Sequence, residues 1–99
     1  MSDPRPDVSV TRTATVRYWA AARAAAGVES DTVDVGEGTT LAVLLKTVRD
    51  LHSDRPKLTD VVGVCSVLVG ERPVGSRDPE DVEIRPGDVV ELLPPFAGG

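Results

Sequence analysis

Few residues in this chain have side chains equipped for chemistry, and those few stand apart. Cys65 is the only cysteine and His52 the only histidine among 99 residues. One of each cannot assemble a zinc site or an internal disulfide, and a nucleophile with base and orienting partner needs more than an isolated His. Cys65 lies in a valine-rich run and reads as a small buried core side chain. His52 falls at the end of a helical pattern and reads as a partner of that helix's last carbonyls. Glu80 and Asp81 are adjacent carboxylates in a polar turn, the pattern of a solvated surface. Gly36-Glu37-Gly38 begins like a dinucleotide fingerprint but lacks the third glycine, and there is no phosphate-binding P-loop. No metal site and no cofactor held by the chain itself are expected. What remains is the last stretch, Leu92-Leu93-Pro94-Pro95-Phe96-Ala97-Gly98-Gly99.

A free carboxylate on Gly99 would be ionised at neutral pH, its pKa lying near roughly 3.3–3.7. It is a poor electrophile and must first be activated, most simply as an acyl-adenylate made with ATP by a partner enzyme. That requires threading the end into a narrow site. Gly98 and Gly99 fit there because they have no side chain and adopt unusual backbone angles. Pro94 and Pro95 pre-set an extended path and lower the entropy lost on docking. From Leu93 to Gly99 such a segment reaches roughly 20 Å at about 3.3 Å per residue.

The elements that must present this end follow from periodicity. The extension 1–12 is polar, carries Pro4 and Pro6, and has no period. From Thr13 the chain alternates, with Val16 and Tyr18 on one face and Arg17 and Trp19 on the other, which predicts a strand. Ala20 to Ala26 predicts a short helix closed by Gly27. Thr32 to Val35 is a second strand, broken by Gly36-Glu37-Gly38. Thr40 then caps the main helix, whose stripe is Leu41, Leu44, Leu45, Val48 and Leu51, opposite Lys46, Arg49 and Asp50. Pro56 stops it and starts one irregular turn, and Val62 to Val69 reads as a central strand. After a turn at Gly70-Glu71-Arg72-Pro73 comes a short edge segment at Val74. Pro86-Gly87-Asp88 is a tight turn into the last strand, Val89 to Leu93, with Val90 and Leu92 inward.

Composition supports one small soluble domain: 40% hydrophobic, 27% charged, with only Tyr18, Trp19 and Phe96 aromatic, so the core is aliphatic. A formal charge of -5 argues against nucleic acid and suits a partner with a basic surface. No long apolar run or signal-peptide pattern is present, so no membrane association and a cytoplasmic location are expected.

The ending "GDVVELLPPFAGG" resembles that of the MoaD family, the small subunit of molybdopterin synthase and a ubiquitin-like sulfur carrier of the MoaD/ThiS type. "VRYWAAARAAAG" is similar to that family's first strand and Arg-containing short helix, and "TTLAVLLKTV" to its capped helix. The resemblance spans about Ala14 to Gly99. It implies an α+β, β-grasp domain over 13–93, a mixed sheet on one main helix with the first and last strands adjacent, and an extended tail over 94–99. It further implies adenylation of Gly99 by a MoeB-like enzyme, sulfuration by way of a sulfurtransferase, and insertion of Pro94, Pro95, Phe96, Ala97 and Gly98 into a MoaE-like large subunit. Two carriers and two large subunits would form the synthase, and the carrier would be no enzyme by itself. Trp19, Leu68, Pro73 and Leu93 are the candidates for the sheet face that docks these partners. Phe96 departs from the family's smaller aliphatic residue, Gly70-Glu71 stands where an Asn-containing turn is common, and the first residues extend the chain. Three rival readings share the fold: a carrier for cysteine or thiamine synthesis, a ubiquitin-like modifier of target lysines, and a passive interaction module.

Overall fold

The computed structural model describes residues 12–95. Its elements run β1 (Thr13–Tyr18), α1 (Ala20–Ala26), β2 (Ser30–Asp34), α2 (Leu41–Leu51), α3 (Pro56–Val64), β3 (Ser66–Val69), β4 (Arg72–Pro73), a 3-10 turn (Pro79–Asp81) and β5 (Val89–Leu93). The five strands form one sheet in the order β2-β1-β5-β3-β4. β1 and β5 are parallel, and every other neighbouring pair is antiparallel. A mixed sheet with the first and last strands side by side, backed by a main helix, is the β-grasp arrangement expected above. The centre of the sheet is β5, not the strand around Val67.

Alternation in β1 places Ala14, Val16 and Tyr18 inside, and in β5 it places Val90 and Leu92 inside. α2 lays Leu41, Leu44, Leu45 and Val48 over that face, and its cap is the one expected: the Thr40 side chain accepts a hydrogen bond from the Val43 N–H. Each such leucine contributes about 1.5–3 kcal/mol on burial. Leu51 leaves the stripe and is 54% exposed, because the helix ends there and its last turn has passed the core. Among the described residues every buried side chain of the core is apolar except Tyr18, whose phenol is hydrogen-bonded.

The largest departure from the sequence reading is α3. Pro56 does stop α2, but it then occupies the first turn of a nine-residue helix, where its missing N–H is no loss. Leu58 and Val62, four residues apart, are buried on one side of it. The run Val61 to Val64 is therefore helical despite its β-branched character, and β3 keeps only Ser66–Val69. Cys65 lies at the junction, half buried against the core rather than fully within it, and burial pushes its thiol up to about 11.

Smaller corrections have local causes. β2 starts at Ser30, paired to Arg17. The edge strand is Arg72–Pro73, while Val74 turns into the core. Arg12, assigned to the extension, accepts a backbone hydrogen bond from Val35 N–H at 2.8 Å. His52 keeps its backbone N–H on the Val48 carbonyl, but its side chain goes elsewhere: Nε2 lies 2.6 Å from Asp31 Oδ2, the oxygen that also accepts from Tyr18 Oη–H at 2.7 Å. Burial, then the bond to Asp31, raises the Tyr18 phenol far above its ordinary range.

Candidate functional site

β5 is the last element of the described chain, and Pro94 and Pro95 follow it directly. Its inward Leu92 has no exposed surface and pairs with Tyr18 on one side and Val67 on the other. Anchored on both edges, β5 cannot shift register without turning Val90 and Leu92 to solvent. Pro94, read as the start of the tail, is buried, whereas Pro95 is exposed. The buried part of the described chain therefore ends at Pro94. Phe96, Ala97, Gly98 and Gly99 lie outside the described residues.

The outer face of the sheet is set by register. Arg17 stands beside Glu91, Glu91 opposite Leu68, and Leu68 opposite Pro73, so these four form one row across β1, β5, β3 and β4. Leu93 stands opposite Ser66, and the Trp19 N–H donates to the Leu92 carbonyl at 3.2 Å, which carries the β1–β5 ladder up to Trp19. All four residues expected on a docking face, Trp19, Leu68, Pro73 and Leu93, thus fall on one side of the sheet, next to the strand that leads to the tail.

Two residues of this face were missed, Arg17 and Glu91. The Arg17 guanidinium carbon sits 4.9 Å from the centre of the Trp19 ring, and the Trp19 indole N–H donates to Glu91 Oε2 at 3.1 Å. The alternation in each strand marks both as outward, but only the parallel pairing of β1 with β5 brings them to the same indole. An exposed cation–π contact is worth about 0.5–1 kcal/mol. Here it orients a ring that remains 38% exposed. The next residue, Ala20, has a φ of +48°, a left-handed conformation unusual for alanine, where the chain turns abruptly from β1 into α1. Trp19 is the helix's N-cap and offers no side-chain cap, so its indole is left to the sheet face.

Among the described residues no group of three or more His, Cys, Asp or Glu is placed to hold a metal ion. None of the helices there is long and apolar enough to cross a membrane. The arrangement presents a half-apolar sheet face beside the end of β5.

Residues 16–99 match the ThiS family. The chain belongs to the ThiS family. Within it, the chain is 32% identical over 84 residues to the molybdopterin synthase sulfur carrier subunit of Chlamydomonas reinhardtii, spanning 85% of this chain and 95% of that one. Similar solved structures include small archaeal modifier protein 1 from Methanosarcina acetivorans, at a TM-score of 0.69 and 21% identity, covering 88% of this chain and 96% of that chain. Another is the complex of subunits 1 and 2 of the molybdopterin-converting factor from Helicobacter pylori, at a TM-score of 0.59 and 23% identity, covering 88% of this chain and 99% of that chain. The fold shared with these structures is the one built here from the strand order. The family match reaches Gly99, the residue singled out by its chemistry.

Proposed function

We propose that this ThiS-family chain is a sulfur carrier, bearing a thiocarboxylate on Gly99 and serving molybdopterin synthesis as the small subunit of the synthase. The observation that carries this reading is the family match through Gly99, together with the relative named as the sulfur carrier subunit of molybdopterin synthase. The chemistry is consistent with it. The Gly99 carboxylate attacks the α-phosphorus of ATP in an activating enzyme, releasing pyrophosphate and leaving an acyl-adenylate. A sulfur nucleophile supplied through a sulfurtransferase attacks that carbonyl and expels AMP. In this scheme the chain supplies the acyl group, and its partners supply ATP binding, sulfur and the proton transfers.

This reading divides the chain into two parts. In it Pro94, buried at the end of β5, anchors the base of the tail, and the residues after it enter the partner's reaction centre. The outer face with Trp19, Leu68, Pro73 and Leu93, extended by Arg17 and Glu91, docks the activating enzyme and then a large subunit. The two-subunit complex from Helicobacter pylori supports a partner of the latter kind. A net charge of -5 suits a basic partner surface.

Intact mass spectrometry of the chain, co-produced with an activating enzyme and a sulfurtransferase, tests the proposal. A sulfur-for-oxygen exchange mapped to Gly99 is expected. An unchanged terminus, under conditions that modify a known carrier, would reject it. Deleting Gly98 and Gly99 should abolish the exchange and leave the circular dichroism spectrum unaltered. A tag fused after Gly99 should block it, and one before Met1 should not.

The likeness to small archaeal modifier protein 1 favours one second reading, in which the activated Gly99 is transferred to lysine amines of other proteins. The product separates the two: covalent conjugates of higher mass rather than a free thiocarboxylate.

A further inference from the structure

At the β3–β4 edge, between α2, the end of α3 and the loop after β4, lies a cavity of about 480 Å³. Leu41, Leu45, Val62 and Val74 form its apolar floor, and all four are buried. Its polar lining is unbalanced. Arg49 and Arg77 both line it, and no Asp or Glu does. In a chain with 16 acidic against 11 basic residues, an all-cationic lining is a local segregation of charge.

The Arg49 Nε is shut off from solvent and has no hydrogen-bond partner. Leaving such a donor unmet costs about 1–3 kcal/mol, and native structures rarely do so without a reason. The Arg77 side chain is exposed and forms no ion pair among the described residues. Ser66 and Ser76 add hydroxyls to the same lining. Guanidinium forks and hydroxyls around one opening are the groups that recognise an oxyanion, because two parallel N–H donors match two oxygens. Val67 and Leu68, partly exposed, and Pro73, exposed, add an apolar rim that a bare ion does not cover. The volume falls within the range of small-ligand sites, about 300–1,000 Å³.

We propose that this cavity binds a small organic oxyanion, a phosphate ester or carboxylate on an apolar body, with Arg49 and Arg77 gripping the charged end. The cavity shares Leu68 and Pro73 with the sheet face described above, but it requires no chemistry at Gly99.

Nitrogen-15 spectra of the full chain, titrated with inorganic phosphate, phenyl phosphate and benzoate at ionic strength held constant with chloride, test this. Saturable shifts are expected at the amides of Gly63, Ser66 and Ser76 and at the Arg49 Nε–H. Phenyl phosphate or benzoate should bind about tenfold more tightly than inorganic phosphate, since each buries a ring against the apolar rim. Whichever of the two binds better identifies the charged end as phosphate or carboxylate. Arg77→Gln, at an exposed position, should weaken the tighter ligand about tenfold. Arg49→Lys keeps the charge but loses the fork and should do the same with the fold's spectrum preserved. Non-saturable shifts, shifts reproduced by chloride alone, no gain from the ring, or an affinity within twofold of the parent in either variant would overturn the proposal.

Discussion

Replacing Trp19 with alanine tests the docking role proposed for the sheet face against a role in holding the fold. Trp19 is 38% exposed, and an indole side chain carries about 250 Å² of surface, so roughly 95 Å² stands open to a partner. Covering that area at about 25 cal/mol per Å² is worth roughly 2 kcal/mol, or about thirtyfold in Kd. The covered remainder packs on the protein itself, held by Arg17 at 4.9 Å and by the bond to Glu91 at 3.1 Å. Trp19→Ala therefore also lowers stability, by about 2–4 kcal/mol. Both readouts are needed: urea unfolding for the isolated chain, and calorimetric binding to the activating enzyme and to the large subunit at a temperature where circular dichroism confirms a folded variant. Trp19→Phe keeps most of the ring and loses only the indole N–H, so its affinity should fall between those of the parent and the alanine variant. If folded Trp19→Ala binds both partners within twofold of the parent, the indole is packing and nothing more, and the outer face is not where they dock.

Three further outcomes follow from local structure. Gly70 and Glu71 join β3 to β4 with φ of +57° and +70°, the pair of left-handed residues that a two-residue hairpin requires. Glu71→Asn should stabilise by about 0.5–1 kcal/mol and raise Tm by about 2–8 °C, with Glu71→Gly gaining less because it frees the unfolded chain; an unchanged Tm for the asparagine variant would refute the strain. Tyr18, the only tyrosine, has its phenol raised in the folded state by burial and by Asp31, so the folded form holds that proton more tightly. The resulting stability is complete below about pH 10 and is lost as pH rises beyond it, and tyrosinate absorbance should appear together with unfolding; phenolate forming near pH 10 with unchanged circular dichroism would contradict this. The Cys65 thiol, pushed from 9.0 up to about 11 by burial, should react with iodoacetamide at pH 8 about a hundredfold more slowly than in the urea-unfolded chain, and equal rates would show it is not protected.

Much of this protein is local and legible as such. Gly27, with a φ of +80°, closes α1 where expected, Thr40 caps α2, and β5 spans the residues that its alternation predicts. Each depends on a few adjacent residues. The Val61–Val64 run is different, because a short β-branched stretch suits a buried strand or the apolar side of a helix equally well. Pro56 at the helix start and the burial of Leu58 with Val62 decide for the helix.

The amino-acid order by itself determined the strand alternations and the caps, and it alone motivates the proposal of chemistry at Gly99, since these need only neighbours in the chain. Tertiary structure alone decided which distant residues meet. Trp19 and Glu91 are 72 residues apart, and His52 finds Asp31 across 21. No periodicity encodes such pairs, because they follow from sheet register and helix packing, which are set by how all the apolar faces bury together. The same packing shuts the Arg49 Nε away without a partner and buries Pro94 at the end of β5.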